Sequence, residues 1–139
     1  MEMWAVFALL SAFFAAMVAI LGKLGLAGIH SNVAAAIHTT VALTMAWGIV
    51  IFTGRYDTIQ DLTAKNWLFL ILAGCATGAS WLCYYHALKL GDVTKVVPLD
   101  KLSLIITVIL AALILKENLS PQAIIGATLI TIGTLMMLL

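Results

Sequence analysis

Five apolar runs, each close to twenty residues long and separated by short polar breaks, leave this chain few ways to fold. A hydrocarbon core about 30 Å thick takes ~20 residues of helix to cross, because a helix rises about 1.5 Å per residue. The runs at about 4–22, 33–53, 67–88, 93–115 and 121–139 each meet that length. Composition agrees: 64% of the 139 residues are hydrophobic and 9% charged, with a mean hydropathy of +1.16. Soluble domains carry roughly 25% charged residues. The expected fold is all-α, a single polytopic membrane domain of five transmembrane helices over residues 1–139, with no room for a soluble catalytic domain.

The net charge is +1 and there is no polybasic tail, so neither nucleic acid nor anionic-lipid binding is indicated. Cys75 and Cys83 stand eight residues apart on one expected helix, about 12 Å along its axis, too far for a disulfide. The opening MEMW lacks the basic segment and cleavage site of a signal peptide, and the run behind it is too long for one, so it is read as the first span.

In that first span Ala8, Ala12, Ala16 and Ala19 recur at helical spacing, a smooth stripe for a neighbouring helix. Gly22, Lys23, Gly25 and Gly28 close it, and Lys23 either snorkels to the interface or lines a solute path. In the second span Thr40, Thr44 and Trp47 share a face that is expected to turn inward, while His38 points almost the opposite way. The threonines have a plainer reading, bonding back to their own helix. Histidine is the side chain suited to exchanging protons under physiological conditions, so His38 is a candidate proton carrier, against the plainer role of a hydrogen-bonded side chain. Residues 54–66 form a solvated connector whose charges cancel.

The third span opens on Trp67 and holds a GxxxG pair, Gly74 and Gly78, whose face continues through Trp81 and Tyr85 with Tyr84 at its edge. These aromatics belong either to an interfacial belt or to a pocket wall. Trp81 lies roughly 10 Å inside the span end, which is deep for a belt.

Gly91 is placed to end the third helix and Asp92 to cap the fourth, in which Pro98 predicts a kink or unwinding around residues 94–98. Asp100 and Lys101 follow, ~12–14 Å into the span, where an uncompensated charge is costly and suggests function. Neighbours on a helix point about 100° apart, so the two are expected to serve different partners rather than neutralise each other. Asp100 shares its face with Ser103 and Thr107. Ser120 before Pro121 is a helix start, a capping hydroxyl with proline at the first helical position. Gly126, Ala127, Thr131 and Gly133 give the last span a small-residue face.

Five spans put the termini on opposite sides. Arg55, Lys65 and Lys116 then face Lys23, Lys89 and Lys95 across the membrane, a tie that assigns no orientation. Either one orientation is weakly preferred, or the chain inserts both ways and pairs as an antiparallel homodimer, the two-chain form of an inverted repeat.

Taken together, a third span ending YYHALKLGD, then VTKVVPLDKLSLIITVILAALILKENLS leading into the fifth, resembles a single EamA domain of the drug/metabolite transporter superfamily. The resemblance covers essentially the whole chain and is strongest over residues 84–126. It implies a half-size member that needs a partner, in a prokaryotic-type cytoplasmic (inner) membrane. It further implies carrier-type movement of small organic metabolites, often outward and often coupled to protons or exchange. The chain is less similar to the related small multidrug exporters, which depend on an acid within the first span; here only Glu2 stands at its start.

The expected activity is alternating-access transport of a small-molecule substrate across the lipid bilayer. Trp47, Trp81, Tyr84 and Tyr85 would form walls, Thr40, Thr44 and Ser103 hydrogen bonds, and Lys101 the attraction for a carboxylate or other anion. Asp100, and secondarily His38, would carry a coupling proton. A non-transporting accessory subunit of a larger membrane complex is the alternative. No nucleophile and base pair, metal-ligand cluster or phosphate loop points to an enzyme, and no cofactor is implied.

Overall fold

The computed structural model describes residues 3–139, and Glu2 lies outside them. Among the described residues every regular element is helical. In order they are α1 (Met3–Gly25), α2 (Ser31–Phe52), a 3-10 helix (Arg55–Ile59), α3 (Ala64–Leu90), α4 (Val93–Asp100), α5 (Ser103–Leu110), a π-helical turn (Ala111–Leu115) and α6 (Pro121–Leu138). Counting Val93–Leu115 as one, five helical stretches are long and apolar enough to cross a membrane. The chain divides into two compact units, Met1–Lys89 and Leu90–Leu139.

In the first unit the turns are short and built by glycine where the backbone needs a left-handed residue. Gly28 (φ 75°) reverses the chain after α1, and Gly54 (φ 65°) ends α2, conformations that cost a residue with a Cβ about 1–2 kcal/mol. α2 starts at Ser31 because the extended His30 caps it, its ring Nδ1 accepting the Asn32 N–H at 3.3 Å.

The buried residues of this unit crowd one end: Ala19, Gly22 and Leu26 from α1 and its turn, Ser31, Ala34 and Ala35 from α2, Tyr85 and Leu88 from α3. Away from that end the side chains are exposed almost throughout. Of the expected alanine stripe only Ala19 is buried, while Ala8, Ala12 and Ala16 are exposed. Gly74 and Gly78 likewise have no neighbour within 4 Å of where a Cβ would stand. Among the described residues the tight contact their spacing suggested is not made.

In the second unit α6 packs against α4 and α5 and buries Thr134. The interruption by Pro98 falls later than expected. α4 continues through Pro98 to Asp100, and the break comes at Lys101 and Leu102. There the ladder tightens to i→i+3 bonds: Lys101 N–H to Pro98 O (3.0 Å), Leu102 N–H to Leu99 O (3.1 Å), Leu104 N–H to Lys101 O (3.0 Å). Proline removes one donor and crowds the turn before it, and the chain accommodates this by tightening the turn that follows. Asp92 occupies the N-cap position of α4, but its side chain makes no capping bond. Gly91 follows α3 without the left-handed φ of a glycine cap.

The expected cap of the last span is present. Ser120 is extended and its Oγ accepts the Ala123 N–H at 3.1 Å, with Pro121 at the first helical position. Replacing a capping serine by alanine removes about 1 kcal/mol, so Ser120→Ala is expected to lower unfolding stability in detergent by that amount and to speed amide exchange in the first turn of α6. Unchanged exchange at Ala123 would contradict the cap.

Candidate functional site

The C-terminal ends of α1 and α3 meet the N-terminal end of α2, Gly22 lying beside Tyr85 and Ser31 beside His86. Partial negative charge gathers where helix C-termini converge, and cations are favoured there. Lys23, half-buried, donates to the Leu88 carbonyl, and Lys89 donates to the Ile29 carbonyl at 2.9 Å. Lys23 thus ties α1 to α3. Ser31 Oγ and His86 Nδ1, 3.3 Å apart, add a third link.

One layer deeper the contacts become aromatic. His38 of α2 lies on Trp81 of α3 with ring centroids 4.4 Å apart and planes tilted by 37°, and 5.7 Å from the Tyr85 ring. Trp81 and Tyr85 are 5.9 Å apart, and Tyr84 meets Trp81 edge-on at 5.7 Å. Such offset and edge-on pairs suit the charge distribution of aromatic faces and edges. Tyr85 is 3% exposed and its hydroxyl reaches α1 opposite Gly22, where an added Cβ would stand 3.3 Å from the oxygen. Glycine at 22 is what lets the tyrosine in.

Beside this contact a groove of about 320 Å³ runs between α1 and α2. α1 lines it with Val18, Leu21, Gly22 and Gly25, and α2 with Ala34, Ile37 and His38. Ile29 borders it from the turn and Tyr85 from α3. The spacing Gly22-x-x-Gly25 was the sequence signal for this wall, since two glycines one turn apart remove side chains from one side of a helix.

The structure therefore gathers His38, Trp81, Tyr84 and Tyr85 and separates them from the rest of the α2 candidates. The inward face of α2 is the His38 face, a correction to the expectation that the threonine face turns in. Thr40 and Thr44 are exposed and donate to the carbonyls of Ala36 (2.9 Å) and Thr40 (2.8 Å), and Trp47 is also exposed. A threonine that satisfies its own helix has no need of a neighbour.

Asp100, Lys101 and Ser103 belong to the second unit and are exposed. Lys101 Nζ stands 3.7 Å from Asp100 Oδ2, correcting the expectation that the two do not pair. The four-carbon lysine stem reaches around the angle between adjacent residues. Thr107 donates to the Ser103 carbonyl at 2.9 Å. Among the described residues no group of three or more His, Cys, Asp or Glu side chains could hold a metal ion.

Comparison with known proteins agrees with this architecture. The EamA-like transporter family model matches residues 2–139. A Sinorhizobium sp protein described as an uncharacterized transporter in the cobO 3' region is 44% identical over 136 residues, 98% of this chain and 96% of that protein. No solved structure matches. With five membrane-length helices and a family match over almost its whole length, the chain is an integral membrane protein that belongs to the EamA-like transporter family.

Proposed function

We propose that the protein is a secondary-active carrier that exports or exchanges small organic metabolites by alternating access, and that its working form is a homodimer, with the two copies antiparallel, in a prokaryotic-type cytoplasmic (inner) membrane. The observation that carries this is the Asp100 and Lys101 pair, inside the Val93–Leu115 span and 42% and 55% exposed. Half-exposed charges at that depth are not left against hydrocarbon, because water is absent there to solvate them. A second copy covering them supplies the missing environment, and the neighbour-free Gly74 and Gly78 give it a smooth place to approach. The even split of lysine and arginine across the membrane supports antiparallel pairing.

In this reading Lys101 attracts an anionic group of the solute and Asp100 carries the coupling proton, with His38 as the second titratable group. Trp47, Thr40 and Thr44, outermost in one copy, become lining residues where a second copy meets them.

The reading is tested in proteoliposomes under imposed proton and solute gradients, with a panel of metabolites offered on either side. Saturable flux that responds to the gradients is expected, together with cross-linked dimers whose C-terminal tags are reachable from both membrane faces in equal share. No flux for any solute, with co-purification of a larger membrane complex, would instead identify an accessory subunit.

A further inference from the structure

The groove between α1 and α2 is uncharged on every side. Its walls are aliphatic or bare glycine backbone, and its polar groups are the Tyr85 hydroxyl and the His38 imidazole. Both lysines at that end of the unit are occupied, Lys23 on the Leu88 carbonyl and Lys89 on the Ile29 carbonyl.

The two polar groups are not used by the fold. Tyr85 is 97% buried by its 3% exposure, yet no described residue hydrogen-bonds its hydroxyl, and His38 makes ring contacts only. No fully enclosed side-chain nitrogen or oxygen lacks a partner among the described residues, so the Tyr85 oxygen opens onto the groove it lines. A hydroxyl held in an apolar setting without a partner is unfavourable, and folds keep such a group where a ligand or water completes it.

We propose that this groove is a binding site for the uncharged part of the carried solute, an apolar body of about benzyl size or somewhat larger bearing a neutral hydrogen-bonding group such as an alcohol, phenol or amide. The Tyr85 hydroxyl donates to the oxygen of that group, and His38 accepts from or donates to it on the other side. Val18, Leu21, Ile29 and Ile37 enclose the body, and Gly25 leaves the space it fills. The volume stands at the lower end of the roughly 300–1,000 Å³ of small-molecule sites. This rests on the carrier reading for its biological sense, although binding is measurable without transport.

Benzyl alcohol, toluene and benzylammonium are nearly equal in size and differ in their polar group, so they separate the terms. Binding to the reconstituted protein is read from Trp81 emission, in a chain whose Trp4, Trp47 and Trp67 are phenylalanine. Benzyl alcohol is expected to bind about tenfold more tightly than toluene and to lose that advantage in Tyr85→Phe, the contribution of one hydrogen bond. Benzylammonium should bind more weakly than benzyl alcohol, since nothing in the groove offsets its charge. Gly25→Leu, whose Cβ would meet no atom within 4 Å and whose remaining atoms would extend into the open groove, is expected to abolish saturable binding; Ile37→Trp fills the same groove from α2 as a second check.

Equal binding of toluene and benzyl alcohol would mark a lipid-like apolar surface and overturn the proposal, as would unchanged affinity in both groove-filling variants. Solute flux that persists unchanged in Gly25→Leu would leave the carrier reading intact and remove the groove from it. Absence of all flux with groove binding intact would do the reverse.

Discussion

Lys101→Ala is expected to abolish carrier flux, and the double variant Asp100→Asn/Lys101→Gln should separate the two reasons why. Removing lysine alone leaves Asp100 without the ammonium 3.7 Å away. An isolated carboxylate at the helix centre disfavours insertion by about 2.5–3.5 kcal/mol, so part of the loss would be lower membrane yield. The double variant carries no charge at either position and should recover yield to near wild type. Flux stays absent in the double variant although the protein is present, since both assigned roles are lost, and Asp100→Asn alone, which keeps Lys101, is expected to retain solute exchange and lose the response to a proton gradient. Flux that returns with yield would mean that the pair serves only its own neutralisation, and both assigned roles fail. Flux per copy, counted by quantitative blotting of the liposomes, is the measurement that distinguishes these outcomes.

The second large effect is at Gly22. A Cβ there would stand 3.3 Å from the Tyr85 oxygen and 3.5 Å from Cε1 and Cζ of its ring, whereas one at Gly25 meets nothing within 4 Å. Overpacking a filled site costs typically 1–3 kcal/mol. Gly22→Leu should therefore destabilise the protein by about 2 kcal/mol, because Tyr85, held against His38 and Trp81, has little room to withdraw. Gly25→Leu should fall within about 0.5 kcal/mol of wild type, as substitutions away from packed features do. Denaturation in one detergent compares the two directly. Equal stability of the pair would mean that the approach of Tyr85 to α1 does not hold in the membrane. Tyr85→Phe in the Gly22→Leu background should relieve part of the loss, since the oxygen is the atom that crowds first.

Much of the architecture is readable from the chain because bilayer thickness acts as a ruler. Each run of about twenty apolar residues is helical, the fourth in three pieces, and Ser120 with Pro121 marks a start that the structure reproduces. The rotation of each helix was harder. In water an apolar stripe points to the core, but lipid is as apolar as a side chain, so hydrophobicity carries no inward signal. That is why the Thr40, Thr44 and Trp47 face was read as inward when the His38 face makes the contact with α3. Small residues were a partial guide: of the alanine stripe only Ala19 is buried, and Gly74 and Gly78 equally well describe a surface left for another chain. The meeting of His38 with Trp81 and Tyr85 joins residues more than forty positions apart in sequence, beyond the reach of local periodicity. Position 98 named the cause of the broken fourth span and missed its place, since the missing donor at proline is absorbed by the i→i+3 bonds that follow it.

Among the described residues, Lys23, Tyr85 and the His38 stack fasten the first three helices at one end, a place about which α3 could pivot. α3 extends twenty-one residues from Tyr85 back to Ala64, a lever of about 30 Å at helical rise. A tilt of about 10° at such a pivot moves the far tip by roughly 5 Å over that length, while the fastened end moves hardly at all. A rigid tilt about that end would therefore magnify a small displacement of Tyr85 against α1 at the far tip of α3.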